Sequence, residues 1–470
     1  MYNRMDILSD KDFDLLHENT LRVFEQVGVA FHSEKALDIF KRHDIKVENG
    51  VVYLGAKDVE KALATTPSSY KIHARNPQHD VVMGGDNLVI APGYGAPFVV
   101  KKGVQHRAVL EDYRNFCKLV QTSNHIDYNG MLMGDPSDIP ADRGHLHMML
   151  ANLVNCDKPF IGSSVSERAA LDSIEMAGIA FGGKENIQDK PVTMGIISSL
   201  SPLAYSSEMA EALIVYAEYG QVNMVALLSQ GGSTAPVTLP GLLVTQNAEI
   251  LAGIVLTQLV NPGSPVIYGS TSTVTDMKTG SLAIGAPEQW LIQNATQQMG
   301  QRYGLPTRGS GGITDAHCLD MQAGIESALS LGTTVMSGAN FLLHGCGILG
   351  AYIAMSFEKF LADEEICGML RRNLKGLGVT EERIDFATIK EVGPGGEYLT
   401  HPATFKHCRT EFYLPEIMRR NDYSTWSVKG KKEIFDIAEK KVEERLEQWR
   451  EPEMDGDIRA RLEKYVEQAF

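Results

Sequence analysis

Residues 192–232 read Val192-Thr-Met-Gly-Ile-Ile-Ser-Ser-Leu-Ser-Pro-Leu-Ala-Tyr-Ser-Ser207-Glu-Met-Ala-Glu-Ala-Leu-Ile-Val-Tyr-Ala-Glu-Tyr219-Gly-Gln-Val-Asn-Met-Val-Ala-Leu-Leu-Ser-Gln-Gly-Gly232. A short apolar run (192–198) leads into a helix-like segment (207–219), and a second apolar run (223–229) follows. Alternation of this kind is the signature of a parallel sheet whose strands are joined by helices. The pattern repeats on both sides. Strand-like runs fall at 126–132, 159–163, 192–198, 223–229, 265–270, 306–309 and 340–344. Helix-like segments fall between them at 144–153, 168–181, 207–219, 246–259, 287–303 and 320–336. An eighth run, 353–356, precedes a helix at 358–374. Eight strands predict an α/β fold of the (β/α)8 TIM-barrel kind over residues 126–375. The first strand-to-helix turn lacks G-x-G-x-x-G, so a dinucleotide fold has little local support.

The flanks differ from this core. Residues 1–125 predict an N-terminal α+β cap. Its first helix, 9–27, carries Phe13, Leu16, Thr20, Phe24 and Val27 on one stripe, with Ser9 as cap and Asp12 at the reciprocal position. A second helix, 33–41, and short strands at 51–54, 70–73, 81–83, 88–90 and 97–100 follow. Residues 376–470 predict a C-terminal helical extension. It holds a Gly393-Pro-Gly-Gly396 loop, a charged helix at 431–449 and a final helix marked by Ile458, Leu462, Tyr465 and Val466. Such a tail packs either on a sister subunit or on its own barrel; a homo-oligomer is the expected assembly.

The 470 residues are 43% hydrophobic and 22% charged, ordinary for a globular protein. Lys plus Arg is 44 and Asp plus Glu is 59, a formal charge of −15, which argues against a nucleic-acid partner. Six cysteines with no C-x-x-C pair argue against a disulfide scaffold or a zinc ribbon. The start shows no apolar signal region and no run of about 18 apolar residues occurs, so no membrane association is expected. The expectation is a cytoplasmic, reduced protein.

A barrel builds its site from the C-terminal ends of its strands. Here that rim is rich in Gly and Ser, poor in carboxylates, and supplies one arginine and one histidine. The carboxyl pair of a retaining glycosidase is missing. No strand ends in the lysine that a class I aldolase needs. Arg308 would point into the mouth, where its planar fork suits a carboxylate; the alternative is an ion pair with Asp315 or Asp320. His344 stands two residues before Cys346, which suggests half a zinc site, but no third ligand is evident. His344 otherwise reads as a substrate contact or a satisfied core residue. Tyr94, Phe98, Phe341, Tyr352 and Phe357 lie near the expected mouth and could face a quaternary ammonium, at roughly 0.5–2 kcal/mol per ring, or serve as core. Asp315-Ala-His317-Cys318-Leu-Asp320 approaches the D-x-H-x-x-G corrinoid signature without its glycine and reads as chance.

Longer stretches carry a resemblance. They are Asn76-Pro77, Gly93-Tyr94-Gly95-Ala96-Pro97, Gly309-Ser-Gly-Gly-Ile-Thr-Asp315-Ala and Asp320-Met-Gln322-Ala-Gly324-Ile-Glu326. With them come Ser337-Gly-Ala-Asn340, Glu364-Glu365-Ile-Cys367-Gly-Met-Leu and His401-Pro402-Ala-Thr-Phe-Lys-His407. Together these resemble the trimethylamine methyltransferase (MttB) superfamily over nearly the whole chain. That resemblance implies a TIM barrel, a methylamine-type donor and a separate cognate corrinoid protein as methyl acceptor, with no permanently bound cofactor. The trimethylamine enzyme carries pyrrolysine, and this chain has only standard residues. It therefore resembles the non-pyrrolysine branch, which acts on small quaternary amines such as glycine betaine, proline betaine or carnitine. A quaternary nitrogen releases a neutral tertiary amine, so its methyl group needs no proton or metal to activate it.

On this reading Tyr94, Tyr352 and Phe357 face the ammonium while Arg308 and His344 hold the carboxylate. Gly309, Gly311, Gly312 and Gly345 form the corrinoid-facing rim. No catalytic residue and no metal ligand is assigned. The rival readings are a zinc-dependent corrinoid methyltransferase using His344 and Cys346, and a betaine-binding protein without turnover.

Overall fold

The computed structural model describes residues 4–188 and 190–469. Seven parallel strands form the central sheet: β1 (Val89–Ile90), β2 (Phe160–Ile161), β3 (Thr193–Ile197), β4 (Val222–Leu227), β5 (Val266–Ser270), β6 (Thr307–Ser310) and β7 (Phe341–Leu343). Their order is β1-β7-β6-β5-β4-β3-β2. Every residue of these strands is buried, as expected where one face meets helices and the other the interior.

The sheet curls until its edges approach each other. Between β1 and β2 runs the segment 127–129, which forms no strand but bonds to both edges. The amides of Asp127 and Tyr128 donate to the Ile90 carbonyl, at 2.8 and 3.2 Å. That of Asn129 donates to the Pro159 carbonyl at 2.7 Å, and the Ile161 amide returns to the Asn129 carbonyl at 3.1 Å. The expected eight-stranded barrel is thus corrected to a seven-stranded parallel sheet with an irregular segment in the gap. Two sequence-read runs change place. Run 126–132 is the irregular segment. The run at 353–356 gives Ala354–Ser356, which pairs with Phe98–Lys101 in a separate small sheet. The strand that completes the seven, Val89–Ile90, comes from the part of the chain read as the cap and pairs with Phe341–Leu343.

Local signals hold elsewhere. The first helix, Asp10–Gln26, has Ser9 as N-cap with a reciprocal Ser9/Asp12 box, and the next, Glu34–Arg42, is capped by Ser33. The helix Leu239–Val260 is long and apolar enough to cross a membrane, yet it is mostly buried and carries Glu249 inside the protein. In the C-terminal extension, Ile434–Gln448 lies on the chain's own helix Phe357–Leu374, where Arg445 pairs with Glu364. Gly456–Gln468 packs on the chain's own helices Gly144–Asn155 and Glu167–Ala180, with the Tyr465 hydroxyl donating to Asp172 at 2.7 Å.

Candidate active site

Strand alternation decides which side chains of β6 enter the concave side of the curled sheet. A Cβ on Gly300, in the helix Pro287–Arg302, would meet the Thr307 methyl, so Thr307 faces outward. A Cβ on Gly309 would meet Thr334, Gln297 and Gln293, all on surrounding helices. Arg308 and Ser310 therefore face inward. Beside them, in register on β5, is Gly269. A Cβ there would lie 2.6 Å from the Arg308 Cβ and 3.0 Å from its Cδ, so the arginine stem occupies space that only glycine leaves free.

Arg308 is 2% exposed. Its Nη2 donates to His344 Nδ1 at 3.2 Å, while Nε and Nη1 are buried without a hydrogen-bond partner. Burial pushes its pKa from 12.5 down to about 10. Neither acid considered as a partner reaches it. Asp315 accepts the amides of Ile284 and Gly285 at 3.0 Å each. Asp320 caps the helix Met321–Met336 through the Ala323 amide at 2.9 Å. Among the described residues, no carboxylate pairs with Arg308.

His344 follows β7 with a left-handed backbone, φ 62°. Burial and the Arg308 charge hold its pKa well below the usual imidazole value, against a hydrogen bond to the Tyr94 carbonyl. Because Nδ1 accepts from Arg308, the ring is neutral and its proton sits on Nε2. The Tyr352 ring lies 4.8 Å from that of His344, tilted by 50°. Its hydroxyl is 2.5 Å from Thr271 Oγ1, which also accepts from Ser310 Oγ at 2.8 Å. Tyr94 joins this group through its backbone carbonyl, the one bonded by His344, and burial pushes its phenol up to about 12. Arg308, His344 and Tyr352 thus form one polar-aromatic cluster at the C-terminal ends of the strands, with the Tyr94 backbone beside it.

The other sequence-selected residues lie elsewhere, for physical reasons. Phe357 is fully buried and stacks on Phe116 at 4.2 Å, a core contact at a helix start. Phe98 faces Arg107, and Phe341 meets Tyr128 edge-on. The place of a side chain at Gly311 is filled by Leu331. Gly312, at φ 58°, is crowded by the carbonyls of Gly345 and His344, and Gly345 by Ile90 and Ala91. These four glycines, Gly309 included, serve close packing rather than an open rim. Cys346 is buried, and burial raises its thiol pKa. No group of three His, Cys, Asp or Glu side chains among the described residues is placed to hold a metal ion.

The sequence reading missed the supports. Gln293 donates to the Ser270 carbonyl at 2.7 Å and accepts the Ser310 amide at 3.3 Å. Gln297 donates to the Arg308 carbonyl at 2.8 Å. Their i, i+4 spacing on one helix face was the signal available. Fully buried Lys359 ties together the loops that follow β6 and β7. It donates to the Gly312 carbonyl at 2.9 Å and to Asp363 at 2.6 Å, and Asp363 accepts the Gly347 amide at 2.8 Å. Glu249 is buried without a cation and is bonded instead by Ser199, Ser201 and the Leu203 amide. A cavity of about 160 Å³ beside Thr122, His125, Glu364, Glu365 and Arg445 is separate from this cluster, and both its buried carboxylates are partnered.

Comparison with known proteins agrees with this architecture. A family model described as trimethylamine methyltransferase (MTTB) matches residues 1–469. The chain is 44% identical over 466 residues to a glycine betaine methyltransferase of Desulfitobacterium hafniense (strain Y51), covering 99% of this chain and 97% of that one. It is 35% identical to a proline betaine:corrinoid methyltransferase of Eubacterium limosum, with 98% and 96% covered. Among solved structures, the monomethylamine methyltransferase of Methanosarcina barkeri superposes with a TM-score of 0.53 at 10% identity, covering 93% of this chain and 97% of that one, a likeness of fold. With the family model spanning the chain end to end, this protein belongs to the trimethylamine methyltransferase family.

Proposed function

We propose that this enzyme moves an N-methyl group from a carboxylated quaternary amine to the Co(I) corrinoid of a separate protein. One observation carries the choice of donor: the fully buried Arg308 guanidinium has two unpaired N–H groups and no carboxylate from its own chain. Unpaired buried donors cost about 1–3 kcal/mol each, more when charged. A donor carboxylate that accepts from them removes that cost, and a betaine carries one. Names of related proteins point to the same class.

The sheet is read as a barrel in which segment 127–129 stands in for one strand, so the mouth is the face bearing His344. There the carboxylate binds Arg308. The ammonium lies against the rings of Tyr352 and Tyr94, whose faces attract it. His344, held neutral, adds no positive charge beside the cation. The partner's corrinoid supplies the nucleophile. The chain's own contribution is to hold one N-methyl in line for displacement and keep water out. A donor that is already cationic leaves as a neutral amine, so no acid is required on the rim.

The test is to mix the protein with a reduced corrinoid protein and a panel of donors, and to read methylation of the cobalt in the visible spectrum. Transfer from glycine betaine, with little from trimethylamine, is expected. Transfer from trimethylamine alone would overturn the assignment.

A further inference from the structure

Arg308 stands in a row of positions that runs across neighbouring strands. Ala226 on β4 is in register with Gly269 on β5, and Gly269 with Arg308 on β6. The Asn223 side chain donates to the Leu213 carbonyl on the helix Ser207–Glu218 at 3.0 Å, and a Cβ on Gly253, in the helix Leu239–Val260, would meet Val225. Asn223 and Val225 therefore face the helices, and alternation turns Met224 and Ala226 to the concave side. On β3, a Cβ on Gly195 would meet the Tyr216 ring of Ser207–Glu218, so Gly195 faces outward and Ile196 inward. Two strand spacings, about 9–10 Å, separate the backbones of Ala226 and Arg308. Gly269 between them contributes no side chain, so only the arginine's own stem lies between the guanidinium and the Ala226 methyl in this row.

Exposure marks the same wall. Ile196 and Ala226 are 9 and 6% exposed, while every other side chain of β3 and β4 is at 1% or less. Helices cover the outer face, so this surface opens on the concave side. Thr271, turned inward by its bonds to Ser310 and Tyr352, is open there too. A cleft thus descends from the strand ends to the level of Arg308, and its wall on the β3–β4 side is aliphatic. Such a wall offers a carboxylate nothing, but it suits the methyl and methylene groups of a donor whose carboxylate Arg308 holds. Of its two side chains, only Ala226 shares the Arg308 row. We propose that Ala226 determines which donors this enzyme accepts by size, each carbon added at that position taking the place of a carbon of the donor. The inference rests on the assignment of Arg308 to the donor carboxylate.

The test is calorimetric titration of the full chain with glycine betaine and with the bulkier proline betaine, which needs no corrinoid partner. Ala226→Val, Ala226→Gly and Val225→Ala are compared with the wild type, and thermal melts check each fold. One methylene in an apolar pocket is worth about ten-fold or more in discrimination. Ala226→Val is expected to weaken both donors and to shift preference away from proline betaine by about that factor. Ala226→Gly should shift preference toward proline betaine. Val225→Ala, which faces the helices, should lower the melting temperature and leave the preference as it was. An unchanged preference in the Ala226 variants overturns the proposal, and if Ala226→Val does not fold, Ala226→Gly alone decides. A shift just as large in Val225→Ala overturns it as well. The underlying donor assignment fails separately: Arg308→Met would then leave the affinity for both betaines unchanged. If Arg308→Met weakens both and the Ala226 variants keep the wild-type preference, only the role of Ala226 falls.

Discussion

Arg308→Met is expected to make the free protein more stable and a worse enzyme. In the free protein the guanidinium has given up water and regained one hydrogen bond, from Nη2 to His344. The fall of its pKa from 12.5 to about 10, caused by burial, corresponds to roughly 3 kcal/mol against the charged form. Methionine keeps the unbranched stem in the space left by Gly269 and removes the charge. His344 Nδ1 retains a donor within reach in Ser310 Oγ, 3.3 Å away. Replacing a buried charge by an apolar side chain of similar volume is commonly neutral or stabilising by about 1–4 kcal/mol, and a gain of about 1–2 kcal/mol is expected. Binding should move oppositely. Two charge-assisted hydrogen bonds at about 1.5 kcal/mol or more each amount to roughly a hundred-fold in KM for a carboxylated donor. Choline, which has the ammonium and no carboxylate, should bind wild type and variant alike. Denaturant unfolding gives the first quantity; corrinoid methylation and calorimetric binding give the second. A variant destabilised by several kcal/mol, or one with an unchanged KM for glycine betaine, would refute the reasoning.

Three further outcomes follow from the same geometry. Tyr352→Phe removes the hydroxyl bonded to Thr271 but keeps the ring, so kcat/KM should fall only several-fold. Tyr352→Leu also removes the aromatic face, a further ~0.5–2 kcal/mol, and equal losses in the two variants would deny the ring a role. Gly269→Ala places a methyl 2.6 Å from the Arg308 Cβ and 2.8 Å from its carbonyl oxygen; overpacking of this kind costs about 1–3 kcal/mol, visible in thermal melts together with lost binding of carboxylated donors. His344 has a folded-state pKa depressed by burial, so the unfolded chain takes up a proton that the folded one refuses. Its contribution favours the folded state above the unfolded pKa of about 6.5 and is lost as pH falls below it, by up to ~1.4 kcal/mol per pH unit. In His344→Asn, chosen because Asn tolerates the left-handed backbone, unfolding followed from pH 7 to 5 should show a shallower loss.

Much of the fold could be read from local sequence because periodicity is a local property. Six of the seven expected runs became sheet strands, and the Ser9/Asp12 capping box formed as written. The place of the seventh strand could not be read this way. Val89–Ile90 and Ala354–Ser356 are both short apolar runs, and only pairing across more than 200 residues places the first in the sheet and the second beside Phe98–Lys101. Site legibility divides similarly. Arg308 and His344 were identifiable as the cationic and titratable groups at strand ends. The glycines were misleading because composition does not say which way a position points: alternation turns Gly309 and Gly311 toward helices, while Gly269, opposite Arg308 in register, is the one that shapes the interior. Phe357 adjoins a strand end in sequence, but its helix turns the ring onto Phe116. Lys359 acts through the carbonyl of a distant loop, which no spacing announces, and the i, i+4 spacing of Gln293 and Gln297 marks a shared helix face without naming the strand carbonyls they bond.

The most direct measurement is a crystal structure of the protein soaked with glycine betaine. The account predicts carboxylate oxygens at about 2.7–3.2 Å from Arg308 Nε and Nη1, with the trimethylammonium against the Tyr352 and Tyr94 rings. A betaine bound elsewhere, with those two nitrogens still unpaired, would contradict it.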